Sequence, residues 1–155
     1  MRLSAAICAI AVMGWASAMA APAQRHDDFV VAFPAAPKVQ TDGGTRRYVD
    51  DEMNVIFEVD VVSGGLDAAA GRAADLRRLE AFGRRNGAVM RSSQPTVFSG
   101  QSATEALFVN SSGAQAVVRT AAFGGRGYVV AYHYAKDQGS DTERDLFLNS
   151  FRFVP

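Results

Sequence analysis

Cysteine is nearly absent from this 155-residue sequence, in which Cys8 is the only one. Cys8 lies in an apolar segment close to the N-terminus, and without that segment the chain has no thiol. Disulfides, thiol catalysis and cysteine metal sites are then excluded. Histidine is also scarce, because the sequence contains only His26 and His133. Two histidines so far apart do not predict a multi-histidine metal site, and we expect no metal and no other cofactor.

The sequence also has no excess of positive or negative charge. The sequence has 16 Lys and Arg residues against 16 Asp and Glu residues, so its formal net charge is zero. Loss of residues 1–20 would remove one charged residue, Arg2, and leave 15 basic against 16 acidic residues, a net charge of −1. A near-neutral protein has no strong field that draws it onto nucleic acid or anionic lipid. We therefore expect no nucleic-acid partner.

The N-terminal segment is typical of a secretory signal peptide. Arg2 precedes an apolar run over residues 3–13, and Ala18-Met19-Ala20 has the small-x-small pattern of a cleavage site. The run is too short to span a bilayer, which requires about 20 residues, so we expect no stable membrane insertion after cleavage. Cleavage after Ala23 fits the same pattern and stays open as an alternative. The Arg-, Ala- and Gly-rich composition indicates a GC-rich bacterium, and the predicted location is the periplasm or the extracellular medium.

The remaining chain is long enough for one domain with its own core. Residues 21–28 are polar and predict a flexible leader, and residues 29–155 form the predicted domain. Cleavage after Ala23 would place His26 third in the chain, where it would complete a copper or nickel site with the terminal amine. Cyclisation of Gln24 would remove that amine, so we expect no such site.

In the first half of the domain, the spacing of apolar residues changes from every second residue to every third or fourth. Residues 53–62 alternate between apolar and mixed positions, which predicts a strand. The core side of this strand is predicted to carry Met53, Val55, Phe57, Val59 and Val61. Residues 66–86 have apolar side chains at three- and four-residue steps, which predicts an amphipathic helix that stops at Asn86-Gly87. Its apolar stripe is Leu66, Ala69, Ala70, Ala73, Leu76, Leu79 and Phe82, and its predicted solvent side carries Arg72, Asp75, Arg78 and Arg85.

The second half predicts a strand meander followed by a helix. The predicted strands are residues 88–93, 96–111, 114–123 and 128–135. Ser112-Gly113 and residues 124–127 predict hairpin turns, and the apolar character of 128–134 predicts a central strand. Ser140 and Glu143 form a capping box for a helix to Asn149. The inward residues predicted there are Leu146, Phe147 and Phe151. This order predicts an α+β fold, an antiparallel β-sheet flanked by two helices.

Both ends of the domain carry clustered aromatic residues. They are Phe29-Val-Val-Ala-Phe-Pro34-x-x-Pro37 at the start and Phe147-Leu-Asn-Ser-Phe-Arg-Phe153 at the end. These segments resemble the lead-in and the final helix end of PsbP/DcrB-like extracytoplasmic domains. The resemblance implies an antiparallel sheet with flanking helices and a role in binding partners or stabilising assemblies, with no shared catalytic residues. Such aromatic residues also anchor chain ends that otherwise fray.

Tyr132-His133-Tyr134 is the best candidate for a ligand pocket. His133 is predicted to face away from the two tyrosines, and a histidine on a covered strand face is either hydrogen-bonded in the core or lines a pocket. No serine lies in a G-x-S-x-G elbow, and residues 124–127 lack the Lys-Ser/Thr of a phosphate loop. We therefore predict no catalytic residue and no enzymatic activity.

Charged clusters elsewhere are predicted to be solvated. The acidic cluster matches no calcium-binding loop, and the arginines of the first helix lack the interleaved aromatic residues that stack on bases. The acidic cluster is Asp50, Asp51, Glu52, Glu58 and Asp60, and the basic one is Arg72, Arg77, Arg78, Arg84, Arg85 and Arg91.

The sequence thus predicts an exported, non-enzymatic accessory protein that docks a protein or an envelope component through the sheet edge or a groove between helix and sheet. The alternative is a small-molecule-binding protein or an enzyme with a pocket around Tyr132, His133 and Tyr134.

Overall fold

The computed structural model describes residues 22–26 and 28–155. The predicted signal peptide, residues 1–20, lies outside the described residues, so its cleavage stays a prediction. Within the described part of the chain, no helix combines the length and the apolar character needed to cross a membrane.

The described chain contains ten strands and two α-helices. The first half has β1 (Gln24–His26), β2 (Phe29–Val31), β3 (Lys38–Asp42), β4 (Thr45–Glu52), β5 (Val55–Ser63) and α1 (Arg72–Asn86). The second half has β6 (Ala88–Phe98), β7 (Gln101–Asn110), β8 (Gln115–Phe123), β9 (Arg126–Tyr134), α2 (Asp141–Ser150) and β10 (Arg152–Phe153). A short 3-10 helix, Leu66–Ala68, precedes α1.

Seven strands form one antiparallel sheet in the order β3-β4-β5-β9-β8-β7-β6. The apolar strand β9 lies at the centre between β5 and β8, which confirms the prediction of a central strand. A two-residue turn of Gly124 and Gly125 joins β8 to β9, with φ angles of 57° and 74°. Such a type I′ turn needs positive φ at both positions, so the predicted hairpin is confirmed.

The two ends of the domain form a second sheet of three strands, in the order β1-β2-β10. β2 pairs with β10 through Phe29 and Phe153. Phe29 stacks on Phe151 with ring centroids 5.4 Å apart, and Phe33 contacts Phe147 at 5.5 Å. The aromatic residues of the two ends therefore pack on each other. Three residues of the predicted flexible leader, Gln24–His26, form β1 and pair with β2.

The predicted α+β arrangement, one antiparallel sheet flanked by two helices, is wrong. The fold is mostly β, with 52% of the described residues in strands and 21% in helices, and it has two antiparallel sheets. β1, β2 and β10 contain only two or three residues each, which leaves no period to recognise in the sequence. β3 has no apolar alternation either, because all five of its residues are exposed.

The seven-stranded sheet has two different faces. The face that we name the aromatic face packs against the small sheet and α2, and its core includes Phe57, Tyr128 and Tyr132. The face that we name the α1 face lies beneath α1, whose Leu79 and Phe82 are buried against it. The sheet residues of the α1 face in this core are Ala106, Phe108, Ala116, Val118, Val129 and Ala131. Several alanines allow the helix to lie close to the sheet.

Both predicted helices exist, but α1 begins at Arg72 and not at Leu66, and some of the predicted orientations are wrong. α1 ends at Asn86 and Gly87 caps it with φ 57°, as predicted. Asp75 and Arg78, predicted to face solvent, are buried, because they hydrogen-bond to each other and to the sheet. In α2, Ser140 Oγ accepts a hydrogen bond from the N–H of Glu143, which confirms one half of the predicted capping box. The other half is replaced, because the Glu143 carboxylate and the Ser140 N–H both bond to the hydroxyl of Tyr132.

In α2 the prediction is correct for two of three inward residues. Phe147 and Phe151 are buried, whereas Leu146 is exposed and Leu148 is buried in its place. The strand prediction for 53–62 has a similar error at one end. Phe57 is buried on the aromatic face, but Met53 lies in the turn between β4 and β5 and is 96% exposed.

Candidate functional site

The three residues of the predicted pocket lie at the end of β9, but the sheet separates their side chains. Tyr132 packs in the core of the aromatic face and Tyr134 against its edge. His133 lies on the α1 face, where its ring contacts Phe82 with centroids 5.3 Å apart. A pocket that contains all three side chains is therefore absent, because adjacent strand residues point to opposite faces.

Tyr132 is held in place by two hydrogen bonds. Its hydroxyl donates to Glu143 Oε2 at 2.8 Å and accepts from the N–H of Ser140 at 3.2 Å. Burial, together with the hydrogen bond to Glu143, raises the pKa of Tyr132 to about 12 against the lowering effect of the Ser140 N–H. The hydroxyl thus joins β9 to the start of α2, and Tyr132 has a structural role.

His133 is oriented by a carboxylate. Its Nε2 lies 2.9 Å from Glu58 Oε2, and Glu58 is buried. A carboxylate partner favours the proton on Nε2, so in the neutral ring Nδ1 is left as an acceptor. No hydrogen bond to Nδ1 is found within the described residues. His133 is therefore fixed on one side and available on the other.

Glu58 belongs to a buried charged network that joins β4, β5 and α1. Arg85 of α1 bonds to both Glu58 and Asp60, and Arg47 Nε lies 2.9 Å from Asp60 Oδ1 and 3.4 Å from Glu58 Oε1. Asp50, of the acidic cluster predicted to be solvated, is buried, and its Oδ2 accepts a hydrogen bond from the N–H of Ala35 at 2.6 Å. The prediction that Glu58 and Asp60 are solvated is also wrong, because both are buried. Their burial is possible because two arginines face the two carboxylates.

The network shifts the pKa values of the two carboxyl groups, Glu58 and Asp60, in opposite directions. Burial tends to raise the pKa of Glu58, but the hydrogen bond and charge of His133 and the charges of Arg85 and Arg47 outweigh it and lower that pKa. For Asp60, burial and the neighbouring Glu58 charge dominate and raise the pKa to about 6. Within residues 22–26 and 28–155, no group of three or more acidic, His or Cys side chains is placed to hold a metal ion.

A second buried ion pair fixes the first turns of α1. Arg78 bonds to Asp75, donates from Nε to Thr120 Oγ1 at 2.6 Å, and donates from Nη1 to the backbone oxygen of Asp67 at 2.6 Å. Thr104 Oγ1 donates to Asp75 Oδ2 at 3.0 Å. Every polar group of this cluster has a partner inside the protein, so it positions the helix and leaves no group for a ligand.

The α1 face has a cleft of about 330 Å³ beyond the C-terminal end of α1, which we name the α1 cleft. Ile56, His133, Ala116 and Phe108 are cross-strand neighbours in one row, and they line it. Because the helix stops at Asn86, a cleft remains at this end of the sheet, although Phe108 and Ala116 in its wall are buried. The remaining lining residues are Asp51, Met53, Asn54, Val55, Phe82, Asn86, Ala88, Asn110, Ala114, Gln115, Tyr134 and Ala135.

The chemistry of the α1 cleft is that of a binding site. Its interior is apolar, with Phe82 against the ring of His133 and Phe108 against Phe82, and amides such as Gln115 lie around it. Ligand sites typically combine an apolar lining with a few polar groups that fix orientation. No Ser, Thr, Cys or Lys is among the lining residues in the described part of the chain, so none of the usual nucleophiles adjoins His133.

Sequence reasoning identified His133 and missed its surroundings. Glu58 carried a usable signal, because a charged residue at alternate positions of an apolar strand must have a partner if the strand is covered on both faces. Its partners Arg47 and Arg85 lie 11 and 27 positions away, on another strand and on α1. The end of the helix, which creates the α1 cleft, was predicted at the correct residue.

No protein-family model matches this chain, and no curated protein sequence matches it. A crystal structure from Bacteroides thetaiotaomicron VPI-5482 is similar to it, with a TM-score of 0.48 and 14% sequence identity. The similarity covers 82% of this chain and 45% of that chain, so this chain spans less than half of the other's length. Similarity at this level carries no information about function.

Proposed function

We propose that this chain is an exported, non-enzymatic binding protein that docks a partner protein by an apolar side chain inserted into the α1 cleft. The observation that carries this proposal is the α1 cleft itself, about 330 Å³ of open space lined by the apolar side chains of Ile56, Ala116 and Phe108. Concave apolar surfaces on an otherwise polar protein are typical of binding sites.

Two features support a protein partner over a free ligand. The volume lies at the lower end of the range of about 300–1,000 Å³ for ligand pockets, a size that suits one inserted side chain. Met53 lines the cleft and is 96% exposed, and methionine adapts readily to a partner surface. The resemblance of the chain ends to PsbP/DcrB-like domains and the predicted signal peptide favour the same role in the envelope.

The non-enzymatic part of the proposal rests on the lining of the cleft. His133 is paired with Glu58, but no Ser, Thr, Cys or Lys is among the described lining residues, and the hydroxyl of Tyr134 donates to Gln115 Oε1 at 2.8 Å. A general base without an adjacent nucleophile would have to act on bound water or substrate alone.

Site-specific photocrosslinking in the producing bacterium tests the docking site. A photoreactive amino acid replaces Met53 in one variant and Leu66 in another, since Leu66 is 73% exposed but lies outside the cleft. We expect a discrete protein adduct from position 53 and none from position 66. Adding Ala116→Trp, which fills the cleft, should remove the adduct.

Equal adducts from both positions, or an adduct that persists with Ala116→Trp, would contradict docking in the α1 cleft. Export is tested separately by cell fractionation and by mass spectrometry of the N-terminus, where we expect the chain to begin at Ala21 or Gln24. Intact chain with Met1 in the cytosol would contradict it.

The second candidate function is binding of a small molecule in the same cleft, beside His133 and Tyr134. The free Nδ1 of His133 favours it, since a neutral ring accepts one hydrogen bond from a ligand donor. Two-dimensional NMR with indole as the probe tests this candidate. Saturable shifts at His133 and Ala116 without any protein adduct at position 53 would favour the small molecule over the protein partner.

A further inference from the structure

We propose that β3 is a self-association edge, through which two copies of this chain pair antiparallel and join their seven-stranded sheets into one. β3 is an outer strand of the sheet, and all five of its residues are exposed. An edge strand presents unpaired N–H and C=O groups to any strand that can reach it. This inference is independent of the α1 cleft.

The sequence of β3 is complementary to itself. When two copies of Lys-Val-Gln-Thr-Asp run antiparallel about Gln40, Lys38 of each copy faces Asp42 of the other. In the same register Val39 faces Thr41. Opposite charges and β-branched pairs across an antiparallel ladder are stabilising, and here each occurs twice by symmetry.

The turn between β3 and β4 fixes which backbone groups point outward. Gly43 and Gly44, with φ angles of 50° and 83°, form a two-residue turn that Asp42 and Thr45 close. The closing pair of such a turn exchanges hydrogen bonds, and the pattern alternates along the strands. Asp42 and every second residue before it therefore bond to β4.

Val39 and Thr41, which lie between those residues, direct their N–H and C=O groups to the free edge. In the register centred on Gln40, these two residues face each other across the copies, so every outward group finds a partner. A shift of two residues in one direction would place Pro37, which has no N–H, opposite Thr41. A shift in the other direction would separate both ion pairs.

A cleft beside β3 supports the same register. It lies on the aromatic face, has a volume of about 210 Å³, and is lined in part by Thr41, Tyr48 and Val61. Val39 is 55% exposed and lies on the same face, since it is the cross-strand neighbour of Tyr48. In the dimer, Val39 of each copy would lie next to Thr41 of the other and cover this cleft.

The opposite edge of the sheet is blocked, which is why the partner strand is β3 itself. β6 contains Pro95, and its pairing with β7 is irregular between Met90 and Ser92. Counted from the Phe98–Gln101 closing pair, Pro95 is at a position whose N–H would point outward, so this edge lacks a donor. One open edge per sheet gives a closed two-fold dimer and prevents a filament.

Sedimentation velocity of the purified protein tests this inference, from about 10 μM to about 1 mM, a range suited to a short interface. We expect a dimer that forms with rising concentration. Lys38→Asp should raise the dimer dissociation constant about tenfold or more, because it places two carboxylates opposite each other twice. The double variant K38D/D42K should restore it, because the swapped pairs are again opposite in charge.

Proline substitutions at outward-facing positions of the two edge strands, β3 and β6, provide a matched pair of variants. Thr41→Pro removes an outward N–H of β3 and should abolish the dimer. Val97→Pro removes an outward N–H of β6 and should leave the dimer unchanged. Circular dichroism establishes that each variant is folded. A wild-type chain that stays monomeric to about 1 mM, a folded K38D/D42K as weak as K38D, or a folded T41P that still dimerises would each overturn the proposal.

Discussion

The two faces of the large sheet are packed by different physical means. The aromatic face is filled with rings, with Phe151 in contact with Phe29 at 5.4 Å and Phe98 at 4.9 Å. The α1 face combines small residues such as Ala116 and Ala131 with buried ion pairs. The second arrangement stops where the helix stops and leaves the α1 cleft. The proposed docking site therefore lies on the opposite side of the sheet from the aromatic core.

The ion pairs of the α1 face position the helix. Arg78 and Arg85 lie two turns apart on α1 and each bonds to carboxylates or hydroxyls, near its start and near its end. Removal of one member of a buried pair is costly because the other charge stays without a partner. We infer that these contacts fix the helix over the sheet and, with it, the shape of the cleft.

The largest expected effect is on the aromatic face. Phe151→Ala removes a fully buried ring that stacks on two others, so we expect a loss of about 3–5 kcal/mol in the free energy of unfolding. Urea denaturation measures it. Leu146→Ala, at an exposed position nearby on α2, is the control and should change stability by less than about 0.5 kcal/mol. Similar losses in both would show that this face does not hold the core.

The next effect compares the two arginines of α1. Arg78→Met leaves Asp75 buried without its partner and should cost about 3 kcal/mol, whereas Arg85→Met should cost about 1 kcal/mol. The second value is smaller because Arg85 is partly exposed and Arg47 and His133 remain beside the carboxylates. Urea denaturation of both variants measures the difference. A larger loss of stability for Arg85→Met than for Arg78→Met would contradict the conclusion that Arg78 and Asp75 form the more deeply buried ion pair.

The charged network should make stability depend on pH in a specific direction. The pKa of Asp60 is raised to about 6 by burial and by Glu58, so the folded state holds this proton more tightly than the unfolded state. Its contribution to stability is complete below its unfolded pKa of 3.8 and is lost as pH rises through about 6. The stability of the wild type relative to Asp60→Asn should therefore fall by about 2 kcal/mol between pH 4 and pH 7.

Glu58→Gln is the matched variant for that experiment. The pKa of Glu58 is lowered, so its contribution is present above its unfolded pKa of 4.5 and is lost as pH falls. The stability of the wild type relative to Glu58→Gln should therefore rise with pH. Urea denaturation between pH 4 and pH 7 measures both differences in the free energy of unfolding. If both differences changed with pH in the same direction, the opposite pKa shifts of Asp60 and Glu58 would be contradicted.

The smallest effect concerns the contact between β9 and α2. Tyr132→Phe keeps the buried ring but removes the hydroxyl that bonds to Glu143 and to the Ser140 N–H, so we expect a loss of about 1 kcal/mol. Because burial raises the pKa of Tyr132 to about 12, ultraviolet titration should show one fewer tyrosine that ionises near that value in the variant. Loss of a tyrosine that ionises near the ordinary pKa of 10.0 would instead place Tyr132 in contact with solvent.

The parts of the fold that repeat locally were predictable. The alternating pattern of residues 53–62 predicted β5, the apolar run of residues 128–134 predicted β9, and the helical stripe that ends at Asn86 predicted α1. Each of these patterns lies within one segment of the chain. β1 was predicted to be part of a flexible leader, and the pairing of β2 with β10 was not predictable, because both strands are very short and lie at opposite ends of the domain. The α+β prediction failed there, since it counted helices and strands without the second sheet.

The candidate site shows the same division. His133 was identified from its position in β9, and the stop of α1 was identified from Asn86-Gly87. Asp75, Arg78 and Glu58 were assigned to solvent because a charged residue is rarely buried without a partner, and the sequence does not show the partner. Arg85 is 27 positions from Glu58, so only the folded chain brings them together.

The sequence by itself determined the order of the two helices and the longer strands, and the residue at which α1 ends, because side-chain period and capping residues act within a few positions. It did not determine where α1 begins or where β6 ends and β7 begins. Only the tertiary structure decided that the chain ends form a second sheet, that the charges of the α1 face are buried, and that a cleft opens beyond α1. The physical reason is that strand pairing and ion pairing are long-range contacts, whose free energy is gained only when distant segments meet.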